Sequence, residues 1–157
     1  MKEIFYGLTI LCFLFINTTV MAQPESARNP VIWADVPDVS VIRVGDTYYM
    51  SSTTMHMSPG VPVMKSEDLI NWKIVNYAYK TLGDNDELNL LNGKNAYGRG
   101  SWASCLRYHN ETFYVSTFSS TTNKTYIWST KDIENGPWKE ISFSPSFHDH
   151  TLVFDND

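Results

Sequence analysis

Two aspartates in this sequence stand in the same relation to a strand-forming run. Asp38 directly precedes Val39-Ser40-Val41-Ile42-Arg43-Val44, and Asp149 precedes His150-Thr151-Leu152-Val153. Carboxylates carried to one point by two different strands can line a shared axial pocket. Equally, each Asp can simply cap its turn, a habit of this residue. The thiol of Cys105 would be a nucleophile only with a base partner and a reactive environment. It instead follows Trp102-Ala103-Ser104 and precedes Leu106 in a strand-like run, which reads as a buried, inert cysteine.

The elements that must hold these groups are strands. After Val39–Val44 comes a Gly45-Asp46 turn and a second run, Thr47-Tyr48-Tyr49-Met50-Ser51-Ser52, so the composition is that of a hairpin. Val61–Lys65 and Trp72-Lys73-Ile74-Val75 read as third and fourth strands, and Leu82–Asn95 as a long polar loop. The pattern then returns. Ser104–Tyr108 matches Ser40–Val44 with Arg43 recurring as Arg107, Thr112–Ser116 matches Thr47–Ser51, and Ile127–Ile133 matches Val63–Leu69. Trp138-Lys139 closes the unit as Trp72-Lys73 did. Both tryptophans read as core packing. A repeat of about 64 residues with four short strands is a propeller blade rather than a solenoid turn. Asp149–Val153 begins a third unit, with Asp155-Asn156-Asp157 at its turn. The expected fold is therefore all-β: a propeller of which this chain holds about two blades and the start of a third. Closure takes ~4–8 blades, so the chain reads as the N-terminal part of a larger domain.

The 157 residues carry 12 Lys+Arg against 17 Asp+Glu, a net charge of −5. No basic patch is available to neutralise phosphates, so nucleic acid is not an expected partner. With 43% hydrophobic and 14% aromatic residues the chain is not disordered. Its Tyr and Trp suit half-buried strands and sugar-stacking surfaces alike. Lys2, the apolar run Leu8–Ile16 and Val20-Met21-Ala22 compose a secretory signal peptide over residues 1–22, leaving 23–157 as the mature part. The apolar run is shorter than the ~20 residues that span a bilayer. An exported protein, periplasmic or secreted, with no membrane association after signal removal is expected. Loss of Cys12 with the signal leaves Cys105 alone, so the mature chain has no internal disulfide.

Trp33–Met50, with its Pro37-Asp38-Val39-Ser40 element, Gly45-Asp46 turn and Tyr48-Tyr49 strand, resembles the opening of glycoside hydrolase family 43. Ser66-Glu67-Asp68-Leu69-Ile70-Asn71-Trp72 resembles that family's recurring Ser-x-Asp-Leu-x-x-Trp tract, and Trp102-Ala103-Ser104 its Trp-Ala-Pro element. His148–Asp157 resembles its Asp-Pro-Ser-Leu-Phe-x-Asp-x-Asp element. The four motifs follow the family's order from about Asn29 onward. The resemblance implies a five-bladed β-propeller that hydrolyses xylosides and arabinofuranosides with inversion. Asp38 would be the general base, and Asp149 the carboxylate that orients the general acid and tunes its pKa. That acid would be a Glu from a later blade. Val39 replaces the usual Pro after the base, and Cys105 stands where some members carry an Asp, which shifts the second carboxylate to Asp149. Asp35 has no catalytic place in the motif.

Inverting hydrolysis needs base and acid on opposite faces of the sugar, ~6.5–9.5 Å apart so that water fits between. A third carboxylate near the acid keeps it protonated by like-charge repulsion. Trp102 could wall the sugar subsite or be a core residue. His56 could hydrogen-bond a sugar hydroxyl or be an exposed loop residue. No cofactor or metal ligand is expected beyond room for a structural calcium; the expected partner is a carbohydrate substrate. Two other readings compete: a non-catalytic glycan-binding propeller, and a sialidase-like one. The second is suggested by a faint Asp-box in Ser66-Glu67-Asp68 and Trp72 that lacks the Gly such a box wants.

Overall fold

The structure, a computed structural model, describes residues 26–55 and 58–155. The signal peptide expected over 1–22, His56, and Asn156-Asp157 of the third turn lie outside the described residues. The described residues form β1 (Ser40–Val44), β2 (Thr47–Ser51), β3 (Gly60–Ser66), β4 (Lys73–Tyr79), α1 (Asp86–Asn89), β5 (Cys105–His109), β6 (Thr112–Ser119), β7 (Lys124–Thr130) and β8 (Lys139–Phe143). The strands pair into two four-stranded antiparallel sheets, ordered β1-β2-β3-β4 and β5-β6-β7-β8, neither closed on itself. The all-β expectation holds, and so does the repeated four-strand meander.

Two sequence expectations need correction. The 82–95 stretch contains one helical turn, α1, because Asn85 caps it by accepting the Leu88 N–H at 2.8 Å and Leu90 closes it at φ 57°. Leu88 is buried beneath it, 5% exposed. One inward Leu among polar residues leaves no apolar stripe to read. The second correction concerns register. Val44 faces Thr47 and His109 faces Thr112, so both hairpins turn through two residues. Gly45 takes the left-handed position in the first (φ 62°), and Asn110 and Glu111 take it in the second (φ 46° and 56°). Such turns match the twist of the flanking strands. Cys105 is therefore the counterpart of Ser40, and Tyr108, not Arg107, that of Arg43. A slip of one residue would turn each side chain to the opposite face, so the repeated Arg is a coincidence of composition.

The match of Ile127–Ile133 to Val63–Leu69 stands, and its chemistry is that of a corner. Ser66 Oγ accepts the N–H groups of Asp68 and Leu69, while Asp68 Oδ1 accepts those of Asn71 and Ile70 at 2.8 and 2.9 Å. These donors, Asn71 foremost, hold the Asp68 carboxyl far below the usual carboxylate range. Thr130 and Asp132 build the same corner, with Asp132 Oδ1 accepting from Glu134 and Asn135 N–H.

The core lies between the sheets. Val61, Val63, Leu106 and Val115 are wholly buried, and Trp128 is 2% exposed. The Trp128 ring stacks on both Tyr79 and Tyr126, each centroid 5.4 Å away, and its Nε1 donates to Glu140. Tyr79 lies on Gly60, its cross-strand partner, so closely that a Cβ there would collide with the phenol ring and its oxygen. Trp138 packs against this core as expected; Trp72 is half-buried and donates Nε1 to the Leu69 carbonyl. A polar clamp also joins the sheets: Glu134 Oε1 accepts Tyr49 OH at 2.9 Å and Lys65 Nζ at 2.7 Å. Burial and this bond push the Tyr49 hydroxyl up to about 12, while Lys65 and Tyr49 draw the Glu134 carboxyl below its ordinary value.

Candidate active site at the inner strand ends

Asp38 enters β1 from a left-handed backbone, φ 52°, a conformation that Asp tolerates better than most residues. The peptide before it is tied down. The Pro37 carbonyl accepts Ser52 Oγ at 2.7 Å and the Thr53 N–H at 3.3 Å. Ser52 and Thr53 directly follow β2 of the same sheet and are buried, whereas Asp38 is exposed.

The second sheet repeats the tie. Thr117 Oγ1 donates to the Trp102 carbonyl at 2.7 Å, and the Trp102 N–H donates to Phe118 O at 3.1 Å. Ala103 then occupies the seat that Asp38 has in the first sheet.

The third seat follows from how the inner segments lie side by side. The Leu106 N–H donates to Ser40 Oγ at 3.0 Å, and the Leu152 N–H donates to Cys105 Sγ at 3.4 Å. Residue 152 thus stands to the second sheet as residue 106 stands to the first, which puts Asp149 in register with Ala103 and Asp38. Asp149 has the left-handed backbone too, φ 47°. Arg107 fastens this segment, donating Nε to Leu152 O at 3.2 Å and a guanidinium N–H to Thr151 Oγ1 at 2.8 Å. His148 Nδ1 lies 3.3 Å from Asp149 Oδ2, and its ring packs on Phe118 at 4.9 Å. The Asp149 side chain is 65% exposed.

Three adjacent inner segments therefore begin at one end of the sheets, with carboxylates in the first and third seats and a methyl group in the second. Trp102, half-buried, sits beside the empty seat. Asp35 is exposed and lies in a groove lined by Pro37, Thr53, Met64 and Trp72. Cys105 is buried as expected, and its sulfur accepts a backbone N–H. Sequence reasoning missed Ser52 and Thr117; the only signal was a hydroxyl residue directly after the matched runs Thr47–Ser51 and Thr112–Ser116 of the two repeats. Among the described residues no group of three or more His, Cys, Asp or Glu could hold a metal ion, and no helix is long and apolar enough to cross a membrane.

The family model for glycosyl hydrolases family 43 matches residues 27–157. The chain is 37% identical over 133 residues to a β-xylosidase of Formosa agariphila, covering 82% of this chain and 22% of that enzyme. It is 36% identical over 135 residues to the non-reducing end α-L-arabinofuranosidase BoGH43B of Bacteroides ovatus, covering 85% and 25%. The solved structure of a bifunctional GH43-CE protein of Bacteroides eggerthii superposes with a TM-score of 0.79 at 67% identity, over 83% of this chain and 18% of that one. The chain thus spans about a quarter or less of the curated relatives it matches. A family match over residues 27–157 means that the chain belongs to glycoside hydrolase family 43.

Proposed function

We propose that this chain supplies the first sheets of an exported, five-bladed propeller that hydrolyses xyloside or arabinofuranoside bonds of plant polysaccharides with inversion. The observation that carries the reading is the pair of carboxylates, Asp38 and Asp149, in equivalent left-handed seats around a small Ala103. Asp38, exposed at the strand end, takes a proton from water as that water attacks the anomeric carbon. A Glu of a further blade protonates the leaving oxygen, as the family resemblance implies. Asp149 keeps that Glu protonated through like-charge repulsion and orients it. Two carboxylates and water suffice for this chemistry, so no cofactor takes part. Trp102 forms the apolar wall of the sugar subsite, and His56 hydrogen-bonds a hydroxyl.

The test is an assay of the full-length protein on aryl β-D-xyloside and aryl α-L-arabinofuranoside, with NMR of the first sugar released. Turnover with inverted anomeric configuration, lost in Asp38→Asn, is expected. Sugar binding without turnover would establish a glycan-binding module instead. Retention of configuration would remove Asp38 from the role of base, because a retaining site uses its second carboxylate as nucleophile. Sequencing of the secreted protein should begin at Gln23; material still starting at Met1 would refute export by signal cleavage.

A further inference from the structure

We infer that Ser52 is a positioning residue for Asp38, acting through the Pro37 carbonyl. The inference rests on the reading of Asp38 as the base. Among the described residues no side chain is bonded to the Asp38 carboxylate, so its aim is inherited from the backbone beneath it. That backbone is left-handed, a state that a residue with a side chain keeps only where its surroundings hold it. Pro37 has a ring-locked φ, so fixing its carbonyl fixes the peptide plane that enters Asp38. Ser52 Oγ, wholly buried, makes the shorter of the two bonds to that carbonyl, 2.7 Å against 3.3 Å from Thr53 N–H.

The next residue of the chain grips the neighbouring sheet. Thr53 Oγ1 donates to the Ser101 carbonyl at 2.7 Å, and Ser101 Oγ shares a 2.7 Å bond with Tyr79 OH. Ser101 leads directly into Trp102 and the second seat. Two consecutive buried side chains therefore set where Asp38 stands relative to Trp102. The second sheet shows which residues can do this work: at the position of Ser52 it uses Thr117, whose hydroxyl makes the same bond to Trp102 O, also 2.7 Å.

The test uses the full-length enzyme. Ser52→Ala should lower kcat by about 10–100-fold, the scale of a sub-ångström to one-ångström misplacement of a reacting group. KM and the melting temperature should hardly move, because Thr53 N–H still satisfies the carbonyl. Ser52→Thr should restore kcat. In the Asp38→Asn background, adding Ser52→Ala should leave the residual rate unchanged, since the effect runs only through Asp38. Unchanged kcat in Ser52→Ala, failure of Thr to restore it, or an equal loss in the Asp38→Asn background overturns the inference. Should Ser52→Ala not fold, Ser52→Cys, close in volume and a weak donor, takes its place with the same expected loss. Full activity in Asp38→Asn would instead sink the base assignment, which separates that failure from this one.

Discussion

The two sheets share a scaffold but differ in what they carry. Both tie the carbonyl ahead of the inner strand with a buried hydroxyl, Ser52 on Pro37 and Thr117 on Trp102. Both turn the outer corner on a Ser/Thr-x-Asp unit. Yet the seat after the tie holds Asp38 in one and Ala103 in the other. Trp128 fills the place that Met64 has in the first sheet. Backbone ties recur because they solve the same geometric problem in each repeat. On the proposed function, seat residues vary because the catalytic pocket is assembled once, from different contributions. Repeated hydrogen bonds therefore locate a functional position here better than repeated residue types do.

The largest expected effect tests whether the first seat is special. Asp38→Asn in the full-length enzyme should reduce kcat by at least the ~10²–10⁴-fold of a lost general base, with KM nearly unchanged, since Asn keeps the shape but cannot take the proton. Asp35→Asn makes the same charge change three residues earlier and should leave kcat intact. Comparable losses in both, read by steady-state kinetics, would mean that local charge rather than the seat matters.

Next comes the difference in packing. Trp128 is stacked on two tyrosines and bonded to Glu140, so Trp128→Ala should cost about 3–5 kcal/mol in denaturant unfolding. Met64 borders the groove beside Trp72 and Ile74, which lets the site relax, and Met64→Ala should cost nearer about 2 kcal/mol. Equal costs would erase the asymmetry between the sheets.

A smaller effect belongs to the third seat. Asp149→Asn should lower activity by about tenfold, the size of a one-unit change in the acid's pKa. Removing a neighbouring negative charge lets the acid ionise earlier, so the alkaline limb of the pH–rate profile moves to lower pH. A wild-type rate with an unmoved limb would make Asp149 a turn residue only.

The strands were legible because alternating Val, Ile, Tyr and Thr between turn pairs leaves few other folds. Asp38 and Asp149 were legible as a recurring residue before a recurring run. The register of the second inner strand was not, since Ser104 and Cys105 fit the place of Ser40 equally well by composition and only pairing with Ser116 decides. Nor were Ser52 and Thr117: a hydroxyl in or just after a strand is common, and its partner carbonyl is fifteen residues away in each sheet. Glu134 was silent for the same reason, its partners lying in the other sheet.

That last residue gives the finest test. The corner of the first sheet places Ile70 where the second places Glu134, so of the two corners it is the second whose side chain reaches back across the seam. Lys65 and Tyr49 hold the Glu134 carboxyl below its unfolded value of about 4.3. The clamp is therefore fully present above that pH and is lost as pH falls through the lower, folded value. The Glu134 side chain is 28% exposed, so solvent screens the pair and the effect is small. Glu134→Gln should lower Tm by about 1–3 °C near neutral pH, with the gap closing in acid. A local reading accompanies it. Tyr49, pushed up to about 12, should titrate earlier in the ultraviolet once Glu134 is neutral. It should still titrate above an ordinary tyrosine, because burial is the larger cause of its shift. A Tyr49 titration that does not move, together with an unchanged Tm, would show that the seam is held by the apolar contacts and the neutral hydrogen bonds between the sheets. The left-handed seats would then owe their spacing to Thr53 and Ser101 rather than to any charge between the sheets.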